Sequence, residues 1–330
     1  MRLAHATVLI ALIAATPVRA EVAELTIAQQ FGVSFLPLMM MERDGAIEKR
    51  ARALGIENLK INWPKLAGAS AVNDGMLAGT IHFAATGAPS LVTLWSKTKN
   101  NVKGVSAITS YPLYFVTRNP DLTSLRDLSG KDRIAVPAVK ISAQAIVLQM
   151  AAAQLFGEAH YTRFDEFTVS LSHPDAMVAF INNTAGVNAH FSTSPFYEQE
   201  TKIPGARLLT TSYDILGGRA SALVVTTTAK FRDANPKICR AFLTALKETI
   251  DSINTDKRAA ARAYLELAQD RKNSADDIYA MISDKDYAFT VSPEKVFKTA
   301  VFMARVGSIK DRPENWKDLF FPEIHDLPGD

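Results

Sequence analysis

From residue 21 onward two apolar patterns alternate along the chain. Short apolar runs are closed by turn residues, and longer stretches space their apolar positions three or four apart. The first run, Leu25 to Gln29, predicts a strand. The loop Gln30, Phe31, Gly32 then leads into a helix expected from about Ser34 to Leu54. Strands follow near Leu59 to Asn62 and Thr80 to Ala85, with a short helix over Ser70 to Ala78 between them. Thr86, Gly87, Ala88 and Pro89 turn the chain into a helix ending near Lys97. Strand and helix alternating over short links predict βαβ units and a largely parallel sheet.

Residues 102–118 read as one extended stretch interrupted at Tyr111-Pro112. A proline cannot donate to a central ladder, so it marks a change of direction or a crossing between lobes. The alternation then restarts. Strands are expected over Ile134 to Val136, Phe167 to Val169, Val187 to Phe191, Leu208 to Thr211 and Ala220 to Thr227. Helices are expected over Ser142 to Phe156 and Pro174 to Ile181, and the chain beyond Thr227 is almost all helix. Ser194-Pro195, Asn235-Pro236 and Ser292-Pro293 each place a cap residue before a proline at a helix start. Ser172 to Asp175 and Ser274 to Asp277 have capping-box spacing. The pattern predicts two α/β units, with the middle one inserted into the other and the crossings near Ser110 to Pro112 and Asp214 to Gly218. A cleft between two lobes is the default ligand site.

The first twenty residues differ. Arg2 precedes an apolar run from Ala6 to Ala15, followed by Pro17 and Val18-Arg19-Ala20, the three regions of a secretory signal. The run is about half the roughly 20 residues that cross a bilayer, which argues against an anchor. Cleavage is expected after Ala20, and with no cysteine near the cut no lipid anchor is expected. Losing Arg2 and Arg19 takes 37 basic residues to 35 against 34 acidic ones, so the mature net charge is about +1. That gives no electrostatic footprint for nucleic acid. The single cysteine, Cys239, lies in a helical apolar pattern and reads as a small core residue.

Two segments carry a resemblance. Leu122 to Lys131, ahead of a strand, resembles the start of the second lobe in periplasmic solute-binding proteins of the nitrate/sulfonate/taurine (NitT/TauT) group. Trp316 to His325 resembles the tail of many members. The resemblance covers the mature chain. It implies a type II periplasmic binding protein fold: α/β, two-lobed, each lobe a mixed sheet flanked by helices, joined by a two-strand hinge. The expected division is a signal peptide over 1–20, lobe I over 21–111 and 214–330, and an inserted lobe II over 112–213. The resemblance further implies a small-molecule ligand, no catalysis, no cofactor, and a membrane permease with its cytoplasmic ATPase as partner. A soluble periplasmic monomer is expected.

In open α/β sheets ligands bind beyond the carboxyl ends of strands, where helix N-termini aim free N–H groups. That rule selects loops independently of the resemblance. In the first lobe it selects Gln30, Phe31 and Gly32, with Phe31 either stacking on a ligand or filling the core. It also selects Trp63 and Ser70, a cleft wall or mere packing and a helix cap, and then Thr86, Gly87 and Ala88. In the middle lobe it selects Lys140, Ser142, His173, Ser192 and Thr193, while His190 on its strand reads as buried and satisfied. At the crossings Ser110, Tyr111 and Asp214 are candidates. Arg219 is either a fork for a carboxylate or sulfonate or a surface ion pair with Asp214.

The alternative is an enzyme on the same fold acting on a pyrimidine or small ester. The six histidines form no HExxH, and no GxSxG elbow is present. Pyrimidine synthases of thiamine biosynthesis resemble this fold but carry clustered cysteines, whereas this chain has one. A transcription regulator would need a DNA-binding helical domain ahead of the first strand.

Overall fold

The computed structural model describes residues 21–330. The expected signal over residues 1–20, with its cleavage after Ala20, lies outside the described residues.

Eleven strands are present among the described residues. They are β1 (Glu24–Ala28), β2 (Lys60–Asn62), β3 (Phe83–Thr86), β4 (Val102–Ser110), β5 (Tyr114–Thr117), β6 (Ile134–Val136), β7 (Thr168–Ser170), β8 (Ala189–Ser192), β9 (Arg207–Thr211), β10 (Ser221–Thr228) and β11 (Ala288–Phe289). They form two sheets. The first has the order β11-β4-β10-β3-β1-β2 and the second β7-β6-β8-β5-β9. In the first, β1 is parallel to β2 and to β3, while β10 is antiparallel to β3 and β4. In the second, β6 is parallel to β7 and β8, while β5 is antiparallel to β8 and β9. Sheet membership switches between Ser110 and Tyr114 and again between Thr211 and Ser221. The two crossings are tied together: Leu113 N donates to Ser212 Oγ at 2.9 Å, and Ser212 N to Leu113 O at 2.9 Å.

The central strands are apolar because both faces are covered. Leu25, Ile27, Phe83, Phe115 and Phe191 are fully buried and share one apolar cluster that runs through both lobes. Phe242, from the long helix Pro236–Thr255, stacks on Phe83 with ring centroids 4.3 Å apart. The tail identified in the sequence seals the first lobe. Phe320 is fully buried, Phe321 N donates to Gly104 O at 2.9 Å, and Trp95 Nε1 donates to Asp318 O at 3.1 Å. In the Leu122 to Lys131 segment, Ser124 and Asp127 make a reciprocal capping box. Cys239 is half-buried against the core, and burial pushes its thiol up to about 12.

Several local expectations are corrected. The helix expected over Ser34 to Leu54 is two helices, Leu36–Asp44 and Ala46–Ala53, divided by Gly45 at φ 56°. Ser194-Pro195 does not cap as expected: the short helix Phe196–Glu200 starts after Pro195, and Ser194 Oγ bonds Glu198 Oε1 at 2.6 Å. Ser292-Pro293 starts no helix, since the chain stays irregular until Val296. The bend expected at Asp214 is a helical turn, Ser212–Leu216. The two-residue strand β11, pairing Ala288 with Ser110, was hidden by its length. Ser274 caps its helix as expected, whereas Asn235 stands at the cap position before Pro236 without a side-chain cap bond, its Oδ1 accepting from Val22 N at 2.9 Å.

Candidate functional site

The parallel strands of the two sheets point their carboxyl ends at a shared gap. Three loops approach from the first lobe, following β1, β2 and β3. Three approach from the second, following β6, β7 and β8. Gln30, Ala69 and Gly87 line the gap from one side, and Ser142, His173 and Thr193 from the other. The arrangement follows from the topology, because parallel pairing puts the outgoing loops of neighbouring strands at the same edge.

The walls touch. A Cβ on Gly68 would lie 2.4 Å from Pro137 O, and one on Gly87 would lie 2.8 Å from Ala143 Cβ. Only glycine allows these approaches. Val33 N donates across the gap to Ser194 O at 3.2 Å. The cavity left is about 40 Å³, room for little beyond a water molecule. The lobes therefore stand in a closed arrangement.

Polar groups are held ready around this cavity. Ser142 Oγ accepts from Ala145 N and caps the helix Ala143–Phe156, whose first N–H groups face the gap region. Thr193 Oγ1 donates to Tyr111 OH at 2.8 Å, and Tyr111 stacks on Tyr287. Burial raises the Tyr111 phenol above its ordinary value. Thr86 Oγ1, Ser110 Oγ and Ser192 Oγ, each one residue short of the lining, are buried without a hydrogen-bond partner. Unpaired buried hydroxyls are costly and suggest donors or acceptors kept for something else. Below the lining, Glu198 is pushed up to about 6 by burial, against the opposing bond from Ser194.

His173 ends a buried chain of side chains. Its Nδ1 lies 2.9 Å from His190 Nε2, and His190 Nδ1 lies 2.5 Å from Glu200 Oε1. His190 and Glu200 are fully buried, so His190 is buried and satisfied as the sequence suggests. On the gap side, His173 Nε2 meets Gln144 Nε2 at 3.3 Å, and Phe196 stacks beside the imidazole. Burial, and after it His190, hold the His173 pKa well below the ordinary histidine value.

Of the sequence candidates, the structure brings Gln30, Phe31, Gly87, Tyr111, Ser142, His173 and Thr193 together on the gap lining. Thr86, Ala88, Ser110 and Ser192 are buried directly behind it, and Gly32 faces an adjoining groove at the lobe boundary. Five others lie elsewhere. Trp63 packs against the main core. Ser70 is exposed and sits inside its helix, where Gly68 holds the cap position. Lys140 is exposed at a left-handed turn. Asp214 is taken up by the cap of its own helix, accepting from Thr211 N at 2.8 Å. Arg219 pairs at the surface with Glu294 at 3.6 Å, and not with Asp214 as the surface alternative had it. The sequence reading missed Ser34, Ser90 and Gln144 on the lining and Glu200 behind it. Gln144 stands two residues after a chosen cap and was within reach of the same rule. Glu200 carried no signal, because only the fold brings it to His190.

Among the described residues no cluster of three histidine, cysteine or carboxylate side chains is set to hold a metal ion, and no helix is long and apolar enough to cross a membrane.

The NMT1/THI5 like family matches residues 56–260. No curated protein matches the chain. Similar solved structures include the alkanesulfonate-binding protein SsuA from Xanthomonas axonopodis pv. citri bound to MOPS, with TM-score 0.69 and 17% identity over 89% of this chain and 96% of that one. The periplasmic aliphatic sulphonate binding protein SsuA from Escherichia coli gives TM-score 0.65 and 15% identity over 91% and 92%. The periplasmic nitrate-binding protein NrtA from Synechocystis PCC 6803 gives TM-score 0.65 and 13% identity over 90% and 84%. At the level of family and fold these agree with the resemblance read from the sequence. The chain belongs to the NMT1/THI5 like family, built on the two-lobed fold of the periplasmic binding proteins.

Proposed function

We propose that this chain is the substrate-binding component of an ATP-binding-cassette importer. Lobe I (21–111 and 214–330) and lobe II (112–213) close on a small organic solute and deliver it to a membrane permease driven by a cytoplasmic ATPase. The solute class is sulfonate, taurine-like, nitrate-like, or a small carboxylate or heterocycle. The protein works as a monomer in the periplasm, exported by a signal cleaved after Ala20 and carrying no lipid anchor.

One observation carries this reading: six loops, three from each sheet, converge on one gap that is nearly shut. A ligand enters only if the lobes part along the crossings at Tyr111 to Leu113 and 212–220, and it favours closure by touching both walls. The solved relatives, whose names record alkanesulfonate, sulphonate and nitrate binding, support the solute class. Scavenging followed by release calls for affinity of about micromolar, roughly −8 kcal/mol.

The test is titration calorimetry with ethanesulfonate, taurine, nitrate, acetate and cytosine, beside X-ray scattering with and without each. At least one solute is expected to bind near the micromolar range and to reduce the radius of gyration. Binding by none, or turnover of a solute in place of its retention, overturns the proposal.

A further inference from the structure

Glu200, His190 and His173 form a three-member chain with a simple proton rule. Its buried end is a carboxylate, and its other end faces the gap. With the carboxylate bare and one proton on each imidazole, His190 Nδ1–H donates to Glu200. His190 Nε2 must then accept from His173 Nδ1–H, which leaves His173 Nε2 as a lone pair. Adding one proton changes the far end wherever the proton sits. Whether Glu200, His190 or His173 carries it, every consistent arrangement leaves Nε2–H on His173. The gap-facing nitrogen is thus an acceptor in the first state and a donor in the second.

We propose that this relay selects the solute by hydrogen-bond polarity: His173 presents an acceptor to the gap at neutral pH, so the group bound against it is an N–H or O–H donor. The inference rests on the importer reading, since it names the solute that the same gap would take. His173 is the ligand-contacting residue, and His190 and Glu200 are positioning residues. The Gln144 amide nitrogen, 3.3 Å from His173 Nε2, already occupies the place of that donor in the closed protein. Burial disfavours a second proton on the His173 imidazole, and the Gln144 amide nitrogen set against Nε2 is the geometric mark of the acceptor state. The other titratable groups on the packed elements have their own partners. Asp175, on the helix of His173, bonds Ser172; on the helix of Glu200, Glu198 bonds Ser194 through Oε1, and Tyr197 stacks on Tyr114 of β5. The helix bearing Gln144 brings no titratable side chain to the imidazole.

Bare sulfonates and nitrate offer only acceptors. They are disfavoured while His173 Nε2 is a lone pair and fit only where that nitrogen carries hydrogen. A sulfonamide, carboxamide or amino-substituted heterocycle fits at pH 8.

Nitrogen-15 spectra of the full mature chain read the tautomer directly, with His173 assigned by the resonance lost in H173Q. At pH 8 His173 Nε2 is expected unprotonated, and E200Q is expected to protonate it in part, because a glutamine amide can donate to His190 as well as accept. A protonated Nε2 in the wild type at pH 8 overturns the proposal. Calorimetry with matched pairs, ethanesulfonamide against ethanesulfonate and acetamide against acetate, tests the solute class. The donor-bearing member is expected to bind at least tenfold more tightly at pH 8, and H173Q to narrow that ratio to about twofold. An anion bound as tightly as its amide partner at pH 8 overturns the proposal. Binding by neither member of any pair overturns the solute class together with the importer reading, while the spectra still decide the tautomer.

Discussion

The two walls of the gap are made of different material. The first lobe brings bare backbone into contact between Gln30, Phe31 and Tyr111: Gly68 and Gly87 lie against the opposite wall so closely that no Cβ fits. The second lobe contributes side chains with a buried hinterland, with Ser142 capping a helix, Thr193 bonded to Tyr111, and His173 backed by His190 and Glu200. One wall governs how near the lobes come and the other what chemistry waits there. Mutations in the two walls should therefore fail differently, through loss of closure on one side and through loss of fold stability or selectivity on the other.

The largest effect is expected in the second wall. His190→Ala leaves Glu200 fully buried with no partner on Oε1, and its Oε2 already has none. Removing one member of a buried polar pair costs about 3–5 kcal/mol. Denaturant unfolding should show that loss, and the variant should bind poorly because less of it is folded.

Gly68→Ala breaks the comparison from the other side. Gly68 has extended backbone, so alanine strains nothing locally. The new methyl meets Pro137 O only when the lobes are shut. Overpacking of this kind costs about 2 kcal/mol, or roughly 30-fold in affinity. Melting of the unliganded protein should change much less than binding does. Equal losses in both measurements would mean that the glycine serves the fold and not closure.

The same asymmetry marks what the sequence could reveal. Strand ends followed by Gly, Ser or Thr are local signals, which is why the loops at Gln30, Gly87, Ser142 and Thr193 were legible from residue order alone. The change of sheet after Ser110 was legible too, because Pro112 cannot sit within a central ladder. Side-chain partnerships were not. Glu200 meets His190 because β8 and the following helix fold back on each other, and that contact leaves no periodic trace. Arg219 and Lys140 carry charge, but sequence gives no direction for a long flexible side chain, and neither lines the gap.

Glu198 sharpens the difference through pH. Burial raises its pKa from 4.5 to about 6, so between those values the folded state holds a proton that the unfolded chain has lost. The resulting stabilisation is fully present below about pH 4.5 and is lost as pH rises through about 6, amounting to roughly 2 kcal/mol. Glu198→Gln should flatten that part of the stability profile, with thermal melts from pH 4 to 8 as the measurement. A slope of the opposite sign would mean that Glu198 is ionised and stabilised in the fold.

Arg219→Ala is expected to do least, and its smallness is informative. An arginine beside a binding cleft is the obvious fork for an anionic solute, and its loss would then cost tenfold or more in affinity. Here its side chain is 43% exposed and its guanidinium reaches Glu294 at 3.6 Å, a pair of the kind that contributes about 0–1 kcal/mol. Calorimetry on the variant should find affinity within about twofold of the wild type, and melting should barely move. A tenfold loss would place the solute's charge at the crossing and away from His173, and it would shift the chemistry of the site from the second wall to the hinge.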